Sequence, residues 1–230
     1  LKVRRNPAAG AASKALVLDG EQLELAHATI DGKVLSATDY KIDEGSLTIA
    51  KVPVRAFTLE FTTIINPEAN KALSGLYLSR GIYCTQCEAE GFRRITYFYD
   101  RPDVMARFMV RMDAPKGQFP VLLSNGNPHS AGDVPGTGRH YAVWDDPFPK
   151  PSYLFAMVAG DLGVITDTFT TMSGRTVELR IYCEHGKEDR CGYAMDSLKR
   201  SMRWDETAFG REYDLDIFVI VAVSDFNMGA

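Results

Sequence analysis

Between Ala15 and Ile65 apolar and polar residues alternate in short runs broken by turn dipeptides, a pattern of strands rather than helices. Leu23 to Ile30 and Lys33 to Ser36 flank Asp31-Gly32, a pair suited to a two-residue hairpin turn because both central positions must accept positive φ. A looser hairpin is expected at Asp43-Glu44-Gly45. In Phe57-Thr58-Leu59-Glu60-Phe61-Thr62-Thr63 the period of two puts Phe57, Leu59 and Phe61 on one buried face.

Strands are predicted again over Ala106 to Met112, Pro120 to Leu123, Tyr141 to Trp144 and Tyr153 to Val158. The segment from Ser124 to Arg139 holds four glycines and two prolines and is expected to be a long loop capping one end of a sheet. Pro147-Phe148-Pro149-Lys150-Pro151 is expected to stiffen another connection. Residues 1–160 thus read as an all-β domain.

After Gly160 the pattern changes. Strand-like runs at Gly163 to Thr170 and Thr176 to Cys183 precede a helical stretch from about Glu188 to Phe209, with Gly210 as its stop. Tyr193, Leu198, Met202 and Phe209 fall near helical spacing, and Lys199, Arg200 and Arg203 mark an exposed face. Leu215 to Val223, rich in β-branched residues, reads as a buried strand. A β-β-α-β order over 161–230 with no closing helices is the incomplete start of an α+β domain.

Composition adds little to this picture but removes alternatives. The 230 residues are 45% apolar and 24% charged, with a formal charge of -4, inside the range of globular chains. Basic residues are scattered, which offers no footprint for nucleic acid or an anionic membrane. Apolar runs such as Ile217 to Val223 are far shorter than the roughly 20 residues of a membrane helix. The chain opens on Leu1-Lys2-Val3-Arg4-Arg5, without an initiator Met or a signal-peptide profile, so it is expected to begin within a longer protein or after processing. Four cysteines are too few for a disulfide-stapled scaffold, and reduced thiols in a cytoplasm are expected.

Among candidate chemistry, Cys84-x-x-Cys87 lacks a second close pair, since Cys183 and Cys191 are offset by eight residues, and the β setting does not suit a redox dithiol. Buried thiols are the plainer reading. His27, His129, His140 and His185 are dispersed, form no HExxH, and build no metal site on spacing. No Gly-x-Ser-x-Gly elbow is present. The informative segment is Thr85 to Arg94, which packs amides, carboxylates and guanidiniums between apolar stretches. Its plain alternative is a solvated loop with local ion pairs. Its functional reading is a polar site in which Glu88 or Glu90 accepts a cation and Arg93 or Arg94 orients the carboxylate.

Tyr83-Cys84-Thr85-Gln86-Cys87-Glu88-Ala89-Glu90-Gly91-Phe92-Arg93, with Ile95-Thr96-Tyr97 and Asp100-Arg101-Pro102-Asp103-Val104, resembles the Gln-x-Glu segment of zinc aminopeptidases of the aminopeptidase N family. Leu123 to Asn127, Trp144 to Pro151, Leu154-Phe155-Ala156 and Asp225 to Ala230 resemble the same family in the same order. The resemblance covers nearly the whole chain and is weakest before about Leu76. It implies an antiparallel β-sandwich or saddle-like form for residues 1–160, and that residues 161–230 begin a thermolysin-like catalytic domain. It also implies that Gly229-Ala230 opens a Gly-Ala-Met-Glu-Asn motif whose remainder, like the HExxH zinc site, is absent from these residues.

What the resemblance does carry over is substrate recognition. Glu88 is implied to anchor the free α-amine of a peptide, Gln86 and Met228 to line the pocket for the first side chain, and Gly229 and Ala230 to offer backbone groups to the substrate. No catalytic residue and no metal ligand is carried over. Zn2+ is implied for the complete enzyme and none for this chain, which is expected to be inactive alone. The partners implied are peptides with a free amino terminus, acted on by a monomeric cytoplasmic parent. The competing reading is a non-catalytic β module that binds proteins, as inactive relatives of such enzymes do; retention of Gln86 and Glu88 speaks against it.

Overall fold

The computed structural model describes residues 1–4 and 15–226. The described chain is mostly β, in several small sheets without a barrel, and it divides into two compact units. The first comprises Leu1–Tyr77, Thr85–Ala106 and Lys150–Phe155; the second comprises Leu78–Cys84, Arg107–Pro149 and Ala156–Ala230.

In the first unit, β1 (Lys2–Val3), β3 (Glu24–Ile30), β4 (Lys33–Val34) and β7 (Phe57–Ile64) form a sheet in the order β1-β7-β3-β4. A second sheet holds β2 (Leu16–Asp19), β5 (Tyr40–Asp43) and β6 (Ser46–Ile49), ordered β2-β6-β5. The hairpin at Asp31-Gly32 forms as expected, pairing Ile30 with Lys33, with φ of 48° at Asp31 and 77° at Gly32. The Asp31 carboxylate secures that turn by accepting from Thr58 N at 2.8 Å and from Arg55 Nη2 at 2.6 Å. The looser hairpin also forms, with Asp43 opposite Ser46. Leu16 and Leu18 of β2, Leu47 and Ile49 of β6, and Phe57 and Leu59 of β7 share one buried core with Tyr97. The period-two pattern in β7 thus selects its inward face, and each such aliphatic side chain contributes about 1.5–3 kcal/mol through removal from water.

In the second unit, β15 (Gly163–Thr170) and β16 (Thr176–Cys183) pair antiparallel along their whole length, from Gly163 opposite Cys183 to Thr170 opposite Thr176. Helix α1 (Gly192–Phe209) follows a 3-10 turn at Glu188–Cys191 and leads to β17 (Ile217–Val221), which lies parallel to β16. The β-β-α-β order and the stop at Gly210, in the left-handed region at φ 64°, match expectation. Val177, Leu179, Ile181 and Cys183 alternate along β16 and pack against Met195, Leu198 and Met202 of α1. β17 is shorter than the predicted strand, and only Ile217 in it is fully buried. A second core in this unit gathers Ile82, Met112, Leu122, Leu123, Trp144 and Leu162.

Four sequence expectations are corrected. The segment Ser124 to Arg139 is not a structureless loop: β12 (Asn127–Val134) and β13 (Arg139–Lys150) form a hairpin beside β10 (Ala106–Pro115), in the order β10-β13-β12. β12 lies at the edge of that sheet, and its register shifts between Pro128 and Ser130, so the proline is absorbed at an irregularity. Pro147 and Pro149 belong to the end of β13 rather than to a connection, beyond the last pair with β12 at Asp145 opposite Asn127. Tyr153 lies in a 3-10 turn at Ser152–Leu154, and the strand β14 begins only at Met157, running to Gly160. Finally, Tyr193 is 84% and Phe209 63% exposed, because the inward stripe of α1 is Met195, Leu198, Met202 and Glu206.

Candidate functional site

β8 (Gly75–Ser79) and β9 (Ile82–Gln86) are neighbours in a sheet ordered β11-β14-β9-β8, where β11 is Val121–Ser124. β14 fixes β9 on its other side, with Val158 opposite Cys84 and Ala159 opposite Tyr83. The strand ends at Gln86, and the chain then makes a tight excursion. Gln86 and Cys87 are buried, Glu88, Ala89 and Glu90 are exposed, and Gly91 and Phe92 are buried again. Three solvent-facing residues, two of them acidic, are thus held between two buried ends.

Backbone bonds shape this excursion. Gly91 N donates to the Cys87 carbonyl at 2.7 Å, and Gln86 Nε2 donates to the Glu88 carbonyl at 3.0 Å. The Glu88–Ala89 peptide bond is cis. At Gly91 a Cβ would stand 2.9 Å from both Cys87 Cα and Gly75 N, so the close return of the chain requires glycine. Phe92 then seals the base, packing edge-to-face on Phe98 and on Phe155 with centroids 5.0 Å apart in each case.

The charged residues divide sharply. Arg93 donates to Asp100 Oδ2 from its backbone N at 3.0 Å and from Nε at 3.1 Å, and to the Asp100 carbonyl from Nη2 at 3.0 Å. Its Nη1 also lies 3.3 Å from Glu90 Oε2. Arg94 pairs with Glu21 and donates to Gln22 Oε1 at 2.6 Å. Of the pairings the sequence left open, Arg93 with Glu90 is the one that forms, and neither guanidinium contacts the Glu88 carboxylate. Of the two glutamates Glu90 is paired, whereas no hydrogen bond or ion pair among the described residues engages the Glu88 carboxylate. That carboxylate is free to accept a cation from outside.

Asp100 is 2% exposed and was singled out in the sequence only as part of a motif. Its other oxygen, Oδ1, accepts from Ser152 Oγ at 2.5 Å, and its backbone N donates to Asp19 Oδ2 at 3.0 Å. Burial, with the Asp100 charge as a smaller contribution, pushes the Cys87 thiol up to about 12. All four cysteines are buried, as the plainer reading held.

Met228, Gly229 and Ala230, the other sequence-predicted site residues, lie outside the described residues. Among the described residues no group of three or more His, Cys, Asp or Glu side chains could hold a metal ion. His140 Nε2 is spent on the Phe119 carbonyl at 2.7 Å, and His185 Nε2 on Asp161 Oδ1 at 2.9 Å. The described residues thus do not fit a zinc ion. Among the described residues no helix is long and apolar enough to cross a membrane.

Fold and loop together define a mostly-β module, built from several small, mainly antiparallel sheets, that displays a fixed acidic excursion at the end of one strand. The chain belongs to the family described as the peptidase M1 N-terminal domain, whose model matches residues 2–154. It is 60% identical over 230 residues to aminopeptidase N of Caulobacter vibrioides and 55% identical over 221 residues to aminopeptidase N of Escherichia coli. These matches cover 100% and 96% of this chain but 26% and 25% of the relatives, so the chain spans about a quarter of their length. The structure of Legionella pneumophila aminopeptidase A in complex with aspartic acid matches with a TM-score of 0.94 at 35% identity, over 99% of this chain and 27% of that one. A variant of an M1 zinc metallopeptidase from Deinococcus radiodurans matches 91% of this chain and 48% of that one with a TM-score of 0.75, and at 18% identity it shares the fold alone.

Proposed function

We propose that this chain is the substrate-recognition part of a zinc metallo-aminopeptidase that releases amino-terminal residues from peptides. The observation that carries the proposal is the exposed Glu88 carboxylate, unengaged among the described residues on a loop whose backbone is fixed on both sides. An ammonium group is the matching ligand: a charge-assisted bond from the α-amine of a peptide to Glu88 fixes the register of the chain. Only the first peptide bond then reaches the reacting position, which excludes internal cleavage. Gln86, buried beside Glu88 with its amide bonded to the Glu88 carbonyl, lines the pocket for the first side chain.

Met228 completes that pocket in this reading, and Gly229 and Ala230 present backbone groups along which the substrate lies in extended form. Residues 161–230 form the first elements of the thermolysin-like domain. Zinc would be bound by residues of the peptidase other than those described, and the chain by itself hydrolyses nothing. Four buried thiols, two of them with raised pKa, suit a reducing cytoplasm.

The test is steady-state kinetics of the zinc-loaded peptidase that carries this segment, with aminoacyl-arylamides as substrates. Glu88→Ala is expected to raise KM and to lower turnover, because anchoring and alignment are lost together. Unchanged kcat/KM would overturn the proposal.

A further inference from the structure

The Glu88 side chain touches nothing among the described residues that could hold it, so the position of its carboxylate is inherited entirely from the backbone that carries it. That backbone is secured on its amino side by β9. On its carboxyl side it runs through Gly91 into the 3-10 turn Phe92–Arg94, whose C-cap amide, Ile95 N, returns to the Phe92 carbonyl. The turn is tied to Glu21 through the Arg93 carbonyl, which accepts from Glu21 N at 2.9 Å, and through Arg94, which pairs with Glu21 and Gln22, while the Arg93 amide and guanidinium converge on one buried side chain. Asp100 takes both the backbone N and the Nε of Arg93 on Oδ2, while Ser152, 52 residues further along, holds Oδ1 at 2.5 Å. The Asp100 main chain is bound as well, its carbonyl to Arg93 Nη2 and its amide to Asp19. Both oxygens of this carboxylate are therefore engaged within the fold, and at 2% exposure it is closed to a substrate.

We propose that Asp100 is a positioning residue for substrate binding, which sets the place of the Glu88 carboxylate by clamping the Arg93 end of the excursion to Ser152. The inference rests on Glu88 being the amine anchor. The chemistry of the clamp is specific to a carboxylate. An amide at position 100 keeps the shape, and with its oxygen toward Arg93 its NH2 can still donate to the Ser152 hydroxyl, but the acceptor that faces the guanidinium loses its charge. The turn then loses its charge-assisted hold, and the exposed residues Glu88 to Glu90 gain freedom without any change in their own identity. Small displacements of a group that aligns a substrate lower rate constants strongly even when the fold survives.

The experiment is a double-mutant cycle on the zinc-loaded peptidase, with kcat/KM for a free-amine substrate as readout and thermal melting as the control for folding. Asp100→Asn is expected to lower kcat/KM about tenfold, mainly through KM, and by less than about twofold when introduced into Glu88→Gln. A purely structural role predicts equal losses in the two backgrounds, and that result would overturn the inference, as would an Asp100→Asn enzyme with normal KM. Should Asp100→Asn not fold, Ser152→Ala enters the same cycle with the same expectations, since it loosens the other side of the clamp. A Glu88→Gln enzyme with normal kcat/KM would instead remove the anchor itself, which separates failure of the functional reading from failure of the clamp.

Discussion

Gly91 N donates to the Cys87 carbonyl at 2.7 Å, and this one bond returns the chain to its starting point after the three exposed residues that carry Glu88. The return is tight enough that a Cβ on Gly91 would stand 2.9 Å from the backbone of Cys87 and of Gly75. Backbone atoms cannot rotate away as a side chain could. Gly91→Ala should therefore destabilise the chain by about 1–3 kcal/mol, the range of overpacked interiors. For a chain of this size that lowers the melting temperature by about 2–4 °C per kcal/mol. Thermal denaturation followed by circular dichroism checks it, and an unchanged melting temperature would mean that the loop relaxes without loss.

The cysteines should be chemically silent in the folded state. Burial pushes Cys87 up to about 12, and burial together with the neighbouring Cys191 pushes Cys183 up to about 11. At pH 8 almost none of either thiol is thiolate, and neither is open to a reagent. A chromogenic disulfide added to the native chain should titrate none of the four thiols promptly, and all four after denaturation.

His185 supplies a pH dependence whose sign is fixed. The bond to Asp161, with smaller help from Glu188, raises its pKa above the ordinary 6.5. A raised folded pKa means that the stabilisation is complete below the unfolded value and is lost as pH rises through the folded one. The Asp161→Asn variant should return the His185 titration, followed by NMR of the ring protons, towards 6.5. A titration unmoved by the substitution would assign the shift to another cause.

Glu206 is a buried carboxylate on the inward stripe of α1. It accepts from Met172 N at 2.8 Å and pairs with Arg203, tying the helix to the turn after β15. Glu206→Ala removes a hydrogen bond to a charged group and leaves Arg203 without that partner, so a loss of about 1–3 kcal/mol is expected in chemical denaturation. Tyr193→Ala, at an exposed position on the same helix, should change stability by less than about 0.5 kcal/mol.

How far these features can be read without coordinates depends on how local their causes are. The Asp31-Gly32 hairpin, the boundaries of β15 and β16, and the Gly210 stop are written in adjacent residues, through positive φ, period-two burial and the left-handed cap. β12 was hidden because Gly126, Gly132 and Pro128 read as breakers. Gly126, at φ 90°, lies against the Asp145 backbone, and Pro128 sits where the register shifts at an edge strand, so neither ends the pairing. The inward face of α1 was misread because a carboxylate, Glu206, occupies it, while the aromatic residues Trp204 and Phe209 meet edge-to-face on the exposed side. Gln86 and Glu88 are visible as a motif. The residues that hold them are not: Asp100 acts through Arg93, seven positions away, and through Ser152, 52 positions away, and such buried polar ties leave no period in a sequence.

The anchoring role of Glu88 is tested most directly by binding rather than by turnover. The affinity of an amino-acid amide bearing a free α-amine, measured by competition against the zinc-loaded peptidase and its Glu88→Gln variant, isolates the one bond at issue. A charge-assisted hydrogen bond of this kind predicts at least a tenfold weaker affinity for the variant, about 1.5–3 kcal/mol, and no difference for an N-acetylated analogue. Equal affinity of wild type and variant for the free-amine ligand would contradict the assignment of Glu88 as the amine anchor.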